Sequence, residues 1–451
     1  MAQQQIEKVT DREHGLKRQL TAGQMAMVAV GGSIGTGLLL GSGAAIQIAG
    51  PVVIVSYIIS ALICWTVALA MGEMSSMHPA AGSFGVYAEL YLNDWAGFVA
   101  RYGYWIAVVI AIGSEVVAAG TYMQVWFPKV PVIAWMIVFG LLLLLVNFFP
   151  VGGYGTFEYW FAFIKVLTIF LFVLIGAALL LGAKVRPQYL ANGGFAPNGW
   201  KAAFIAASFG LYSFLGIEMV VVSSGEARSG TEVSRATRIS FAMLVFLYVG
   251  AMAVLVGVMP WRNAGVAQSP FVTVFNVAGI SSAGMIMNLV VLSAALSAAN
   301  ASLYVTSRML FSLARSGHAP RRLGVLNSHG VPMPALVASM VGIVVAIFVQ
   351  QYAPQNAYLY IIDASLFGGM LAWLVSLAAH VRFRKTITPE QLAGLKLRAP
   401  LGATGSILGF VAITAAIVAT AWVPQSRVTA VSAGPYLLIL TVAYFLVRKK
   451  R

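Results

Sequence analysis

The stretch GGSIGTGLLLGSG, residues 31–43, lies inside the first long apolar run of the chain, and six of its thirteen residues are glycine. Each glycine in a helix interior costs roughly 0.5–1 kcal/mol relative to alanine. A helix that only had to cross a bilayer would not need to carry this cost. The stretch therefore indicates either close packing between helices or an interruption of the helix.

The composition of the whole chain is typical of a membrane protein. Of its 451 residues, 60% are hydrophobic and only 9% are charged, whereas soluble domains carry about 25% charged residues. Twelve apolar runs approach or exceed the roughly 20 residues that span a bilayer. The predicted spans, numbered one to twelve, fall near 23–49, 51–75, 96–126, 131–149, 157–182, 202–224, 239–260, 271–314, 334–352, 356–381, 402–423 and 431–447. We therefore predict an all-α polytopic membrane protein with about twelve transmembrane helices.

The basic residues predict the orientation of these spans. A net charge of +15 could indicate nucleic acid, but Lys and Arg occur in short clusters between apolar runs, so the expected partner is the lipid bilayer. With twelve spans, the side opposite the termini holds only Lys129, Lys184, Arg186, Lys201, Arg262 and Arg427. All other basic residues except Lys165 lie on the terminal side. Because cytoplasmic loops are enriched in Lys and Arg, both termini are predicted to be cytoplasmic, in the plasma (inner) membrane.

The sequence lacks the residues that disulfide-linked proteins, metal-binding proteins and enzymes require. Cys64 is the one cysteine, which excludes a disulfide framework and a cysteine-based metal site. The five histidines show no metal-ligand spacing, and no nucleophile motif or soluble domain of useful size is present. We expect no catalytic residue, metal or cofactor, and therefore no enzyme; the oligomeric state stays open.

Charged residues inside spans are the strongest functional signal. Glu115, Lys165 and Glu218 lie within spans three, five and six, where a charge costs at least about 2.5–3.5 kcal/mol. They either line a substrate or proton path or pair with one another and hold helices together. Glu73 and Asp363 lie nearer span ends; Glu73, near the cytoplasmic end of span two, could simply cap local backbone donors.

Two interpretations of the glycine-rich stretch follow from its spacing. Gly31-x-x-x-Gly35 and Gly37-x-x-x-Gly41 would let helices pack closely. Alternatively, the helix is broken and its exposed backbone NH groups bind an anion such as a carboxylate. A phosphate loop is excluded because no Lys-Ser/Thr follows and no strand precedes it.

Span six favours the broken helix. Its stretch SFGLYSFLGIEMVVVSSGE, residues 208–226, carries Gly210 and Gly216 around serine and aromatic residues. Transporters built from repeats place interrupted helices at corresponding positions of both halves, and span six is the first of a second set of five. The pair predicts two facing breaks, one offering NH groups to a carboxylate and the other offering carbonyls to an ammonium.

A family resemblance follows from an ordered set of motifs. The set comprises GGSIGTGLLLGSG, GEMSSMHPAAGSF, SEVVAAGTYMQVWFP, EYWFAFIKVLTIFLF, SFLGIEMVVVSSGEA, MPWRNAGVAQSPFVTVF and LSAANASLYVTSRMLFSLARSGHAPRRL. From about residue 16 to 385, the chain resembles the amino acid permeases of the amino acid/polyamine/organocation superfamily, specifically its proton-coupled amino acid transporter family.

The resemblance implies a LeuT-like fold of two inverted five-helix repeats followed by two extra helices. The implied divisions are a cytoplasmic N-terminal segment 1–22, repeats 23–182 and 202–381, a cytoplasmic loop 382–401, helices eleven and twelve in 402–447, and a basic cytoplasmic tail 448–451.

The resemblance also implies a binding site for the main chain of an amino acid. Gly35, Thr36 and Gly37 correspond to the span-one break that binds the substrate carboxylate, and the Ser33 carbonyl to one ligand of its ammonium. In span six, the carbonyls of Tyr212, Ser213 and Leu215 complete the ammonium site, and Tyr212 corresponds to an aromatic gate.

Proton coupling is implied by three further positions. Lys165 matches the span-five lysine that stands where sodium-coupled relatives bind a cation, and Glu115 and Glu218 match acidic positions of the family. Glu115 could also contact the substrate. The motif after span eight departs from the family pattern, because Asn300 is followed by alanine and serine. A helix–helix hydrogen bond is at least as good an explanation of Asn300 as a ligand role.

The expected function is a proton symporter that imports amino acids by alternating access. Its substrates are an amino acid and a proton. Sodium coupling, exchange and, less favoured, a channel are the alternatives. The substrate side chain is expected to be neutral or mildly hydrophobic, because the surrounding residues, Tyr212, Phe214 and those near Val109 and Ile112, are apolar or aromatic.

Overall fold

A computed structural model describes residues 20–78, 83–148, 154–182, 184–315, 317–328, 330–422 and 427–448. Within these ranges the chain is helical, with one isolated β-bridge between Leu20 and Ala227. The first ten helices are α1 Ala22–Ser33, α2 Thr36–Leu39, α3 Gly41–Ala49, α4 Val53–Met77, α5 Ser83–Tyr91, α6 Asp94–Met123, α7 Val132–Phe148, α8 Tyr154–Leu181, α9 Lys201–Phe214 and α10 Met219–Val222. The others are α11 Gly230–Val258, α12 Pro270–Val277, α13 Ser281–Arg315, α14 Met333–Ser339, α15 Val341–Tyr352, α16 Ala357–Thr386, α17 Pro389–Gly394, α18 Gly402–Thr420 and α19 Arg427–Arg448.

The helices confirm the predicted all-α polytopic fold. Ten helical stretches in the described ranges are long and apolar enough to cross a membrane, and one of them, Gly41–Met77, joins α3 to α4. The apolar helix α7 has 17 residues and falls just below that length. The count differs from twelve by two. Helix α7 accounts for one, and the other arises because span one is broken and its second half continues into span two through a short turn, in which Gly50 has φ +68°.

Side chains define where the helices begin. The hydroxyl of Thr21 accepts a hydrogen bond from the amide of Gln24, whose own side chain accepts from the amide of Thr21. This reciprocal capping box satisfies donors that the first turn of α1 leaves unpaired. The side chain of Asn93 caps α6 in the same sense by accepting from the amide of Ala96 at 2.9 Å.

Helix α6 packs against α13, α15 and α16. Its contact with α15 is close because both helices present glycine: a Cβ atom on Gly113 would lie 2.7 Å from the carbonyl oxygen of Gly342 and 2.8 Å from the Cβ of Ala346. Small residues allow such backbone contact between membrane helices. Glu115, two residues after Gly113, is therefore carried by a helix held on several sides.

Span one is interrupted within the glycine-rich stretch. Helix α1 ends at Ser33, Ile34 and Gly35 are not helical, and α2 begins at Thr36. The interruption was predicted at residues 35–37. It lies at Ile34 and Gly35 and so shares only Gly35 with the predicted triplet.

Span six is interrupted at the corresponding place. Helix α9 ends at Phe214, Leu215 adopts ψ +132°, and Gly216 has φ +113°. The chain becomes α-helical again at Met219.

The two interruptions touch each other. A Cβ atom on Gly216 would lie 2.7 Å from the backbone nitrogen of Ser33, and one on Gly37 would lie 2.8 Å from Cδ1 of Tyr212. Because real Cβ contacts are not this short, glycine is required at both positions. Gly43, farther along, lies against the backbone of Gly265 and serves close packing. The two interpretations of the glycine-rich stretch therefore apply to different glycines.

Glu73 at the end of α4 joins distant segments. Its buried carboxylate accepts hydrogen bonds from Arg384 Nη2 at 2.7 Å and from the amide of Ala399 at 2.6 Å. His380 Nε2 lies 3.4 Å from Glu73 Oε2. The sequence left open whether this carboxylate only caps local backbone donors. Glu73 does cap a backbone amide, but the amide is 326 positions away, and an ion pair accompanies it.

We expect Glu73→Gln to lower the free energy of unfolding by roughly 1–3 kcal/mol, the range for a buried donor or acceptor left without its partner. The amide cannot balance the charge of Arg384 and places a donor where an acceptor is needed. Thermal unfolding of the purified protein in detergent measures the change. Glu390→Gln, at an exposed position of α17, is the matched control. Equal unfolding temperatures for the two variants would contradict a stabilising role for Glu73.

Candidate substrate site

A cavity lies where the two interrupted spans meet, with α6, α13 and α16 around it. Most of the residues singled out from the sequence line it, namely Ser33, Gly35, Gly37, Glu115, Tyr212, Leu215 and Glu218. Thr36, Ser213 and Lys165 do not line the cavity. Thr36 and Ser213 contact the lining residues Glu115 and Gly37, and Lys165 contacts Gly31, which precedes the lining residue Gly32. Ala107, Ala111, Ala298 and Gly369 leave much of its wall without large side chains.

Glu115 binds the backbone of the span-one break. The amide of Thr36 donates to both carboxylate oxygens of Glu115, at 3.1 and 3.2 Å. A Cβ atom on Gly35 would lie 2.5 Å from Glu115 Oε1, so this glycine makes room for the carboxylate. The amide that the sequence assigned to a substrate carboxylate therefore contacts a carboxylate of the protein itself.

Lys165 approaches the same break from α8. Its side chain is only 3% exposed, and its Nζ donates to the carbonyl oxygen of Gly31 at 3.0 Å. It also interacts electrostatically with Glu115. The break is therefore flanked by two buried ionisable side chains. Lys165 binds a carbonyl in the last turn of α1, and Glu115 binds the amide of the first residue of α2.

Glu218 lies at the second break and is held by three donors. Its Oε1 accepts from Tyr104 Oη at 2.9 Å and from the amide of Gly216 at 3.0 Å, and its Oε2 accepts from Trp373 Nε1 at 3.2 Å. Sequence reasoning missed Tyr104 and Trp373, because single aromatic residues in apolar spans normally signal core packing.

Tyrosines from later helices satisfy the carbonyls of the first break. Tyr248 Oη donates to the carbonyl oxygen of Ser33 at 2.8 Å, and Tyr358 Oη donates to that of Thr36 at 2.7 Å. The Ser33 oxygen also accepts from the amide of Gly35 at 3.0 Å. A carbonyl oxygen has two lone pairs, so both acceptor positions of Ser33 are occupied in this arrangement.

The carbonyls of the second break are more available. The oxygen of Tyr212 accepts from the amide of Leu215 at 3.1 Å. Among the residues that the structure describes, no backbone amide donates to the carbonyl oxygen of Ser213 or Leu215. The Ser213 hydroxyl donates to the carbonyl of Phe209 at 2.9 Å, and Tyr212 Oη lies 3.0 Å from Ser114 Oγ.

The wall expected near Val109 and Ile112 is lined by their neighbours Val108 and Ala111, and Tyr212 lines it as expected, whereas Phe214 does not. Phe214 does not line the cavity but packs on Tyr248, with ring centroids 4.9 Å apart. Val109 and Ile112 are buried on other faces of α6. The lining residues of α6 recur every three or four positions, and residues 109 and 112 fall outside that face because successive helical residues are rotated by about 100°.

Asn300 makes a contact between helices. The side-chain amide of Asn147 in α7 donates to Asn300 Oδ1 at 2.7 Å. This bond is the helix–helix hydrogen bond that the sequence offered as one explanation of Asn300.

In the described ranges, His, Cys, Asp and Glu form no group of three or more that could hold a metal ion.

Comparisons with known proteins agree with this architecture. A crystal structure of a manganese transporter mutant from Eremococcus coleocola superimposes with a TM-score of 0.59 at 14% identity, covering 95% of this chain and 93% of that one. At this identity the likeness concerns the fold alone.

Sequence relatives are closer. The chain is 34% identical to the gamma-aminobutyric acid permease of Bacillus subtilis (strain 168), covering 97% of this chain and 95% of the relative. It is 33% identical to the aromatic amino acid transport protein AroP of Salmonella typhimurium (strain SL1344), covering 96% of each. Residues 24–450 match the family model described as amino acid permease. The chain therefore belongs to the amino acid permease family.

Proposed function

We propose that this protein is a proton symporter that imports amino acids across the plasma (inner) membrane by alternating access. Transport of amino acids across a membrane follows from the family. The observation that carries the finer proposal is the pair of touching helix breaks, one of which bears both Lys165 and Glu115.

The main chain of the substrate would bind between the breaks. Amides of Gly35, Thr36 and Gly37 would face the substrate carboxylate, since the N-terminal end of a half-helix carries positive partial charge. The Gly35 amide, which donates to the Ser33 oxygen at 3.0 Å, would have to give up that hydrogen bond to take part. The ammonium would bind carbonyls of the second break. Those of Ser213 and Leu215 contribute most, because the Ser33 and Tyr212 oxygens already accept hydrogen bonds. This arrangement would serve any α-amino acid.

Proton coupling would use Lys165, Glu115 and Glu218. Each is buried, and buried ionisable groups in membrane spans commonly form proton paths. Sodium coupling is disfavoured, because it needs neutral oxygen ligands where the Lys165 ammonium stands. In the proposed cycle Lys165 of α8 gains and loses a proton. Because its Nζ donates to the Gly31 carbonyl, the change in charge would strengthen or weaken the contact between α8 and the end of α1.

We also propose the domain organisation and topology read from the sequence. Repeats 23–182 and 202–381 would move around the central site. The segments 1–22, 382–401 and 448–451 would be cytoplasmic, and 402–447 would supply two added helices.

The part of the cavity that would hold the substrate side chain favours a neutral or mildly hydrophobic substrate, because Ala107, Ala111 and Ala298 provide an apolar wall with little bulk.

Reconstituted liposomes test this proposal. We expect labelled amino acid to accumulate against its gradient when the lumen is alkaline relative to the medium, and a sodium gradient alone to drive none. Liposomes preloaded with unlabelled substrate should show counterflow, which a channel cannot produce. Accumulation driven only by sodium, or uptake without counterflow, would contradict a proton symporter.

A further inference from the structure

We propose that the Glu115 carboxylate is an internal competitor for the substrate carboxylate, so that binding an amino acid requires a proton on Glu115. This inference rests on the proposed function, and it specifies how the site and the proton are linked. It makes Glu115 the group whose charge decides whether the span-one break is open to substrate.

The first step of the argument is geometric. Both oxygens of Glu115 lie 3.1–3.2 Å from the single amide of Thr36, which is the central amide of the proposed carboxylate subsite. Glu115 Oε1 lies against Gly35, at 2.5 Å from the position of a Cβ atom. A substrate carboxylate bound to these amides would occupy the volume that the Glu115 carboxylate fills.

The second step is electrostatic. Two carboxylates on one amide repel each other, and like charges at a shared site favour protonation of one of them. A protonated Glu115 is neutral, donates through its own hydroxyl and is a weaker acceptor for the Thr36 amide. It can therefore leave the amide to an ionised substrate, which an ionised Glu115 cannot do without a large cost in this buried position.

The surrounding charges fit this exchange. In the part of the chain that the structure describes, Lys165 of α8 is the cation that interacts with Glu115. The other titratable groups that interact with it are phenols, which are ordinarily neutral at physiological pH: Tyr122 of α6, Tyr212 of α9, Tyr248 of α11 and Tyr358 of α16. Glu218 lines the same cavity and would add negative charge when ionised. Among the described residues, a substrate carboxylate would replace Glu115 as the carboxylate that interacts with Lys165.

Isothermal titration calorimetry of the purified full chain tests the exchange. L-alanine, L-phenylalanine and L-lysine serve as small, aromatic and cationic probes, and the one that binds most tightly is carried forward. Titrations at several pH values give the affinity, and titrations in buffers of different ionisation enthalpy give the protons bound with each probe. For the unmodified protein we expect uptake of one proton per probe where Glu115 is ionised, and an affinity that weakens about tenfold per pH unit there.

Three variants sharpen the result. Glu115→Ala should bind the probe with a pH-independent affinity, tighter than the unmodified protein at alkaline pH, and with no linked proton. Glu115→Gln, which keeps the side-chain volume, should also lose the linked proton. It provides the test if the alanine variant does not fold. Glu390→Gln, at an exposed position, should behave as the unmodified protein.

The outcomes separate the two levels of the proposal. Tight binding by the unmodified protein with no linked proton, or an unchanged pH profile in Glu115→Gln, would overturn the competitor role and leave amino acid transport intact. Absence of binding of all three probes to the unmodified protein would count against both the competitor role and the proposed main-chain site.

Discussion

Lys165→Ala is expected to reduce proton-driven uptake to the level of empty liposomes. The substitution removes the buried ammonium that donates to the Gly31 carbonyl at 3.0 Å and leaves Glu115 without the cation with which it interacts. The proposed cycle, in which Lys165 gains and loses its proton on the Gly31 carbonyl, could then not take place. The initial rate of labelled amino acid uptake under an imposed pH gradient measures the effect.

Counterflow distinguishes loss of coupling from loss of the site. Exchange of labelled for unlabelled substrate needs no net proton movement, so Lys165→Ala should keep measurable counterflow. The matched control is Lys184→Ala, which removes an exposed lysine from the segment between α8 and α9 and should leave uptake unchanged. Uphill accumulation by Lys165→Ala at the rate of the unmodified protein would defeat the coupling role.

The second large effect is expected for Gly216→Ala. Gly216 has φ +113°, a conformation that costs other residues roughly 1–2 kcal/mol. Its added Cβ atom would also lie 2.7–2.8 Å from the backbone and hydroxyl of Ser33, and overpacking of this kind costs typically about 1–3 kcal/mol. The two breaks would have to separate, so both the unfolding temperature and substrate binding should fall.

Gly279→Ala isolates the contribution of backbone strain from that of the contact with Ser33. Gly279 also has a positive φ, +77°, but nothing lies within 4 Å of an added Cβ atom. It should lose stability through backbone strain while keeping transport. If the two alanine variants bound and transported amino acid equally well, the contact between Gly216 and Ser33 would have no role in the site.

Local signals predicted the breaks well. A cluster of six glycines in thirteen residues is conspicuous in a sequence because each glycine in a helix interior costs roughly 0.5–1 kcal/mol. The paired spacing in spans one and six indicated interruptions that the structure contains at Ile34–Gly35 and at Leu215–Gly216. The charged residues were equally conspicuous, and Glu115 lies at the break although 79 positions separate it from Thr36.

Other features depend on information that one segment does not carry. The wall was expected near Val109 and Ile112, but the residues of α6 that face the cavity are their neighbours Val108 and Ala111. The rotation of α6 about its axis decides this, and that rotation is set by packing against other helices. The occupied Ser33 carbonyl could not be foreseen, because its partner Tyr248 is 215 positions away and resembles any core aromatic residue. Likewise, the partner of Glu73 became apparent only when α4 and α16 were seen together.

The tyrosine contacts also bear on how the chain is made. Ser33 and Thr36 precede their partners Tyr248 and Tyr358 by more than 200 positions. Each of the two carbonyls keeps one local donor, the amide of Gly35 or of Leu40, but its second acceptor position is filled by a hydroxyl that is synthesised much later. The hydrogen bonds of the break are therefore complete only after α11 and α16 have been made, so the substrate site is a part of the protein that matures late.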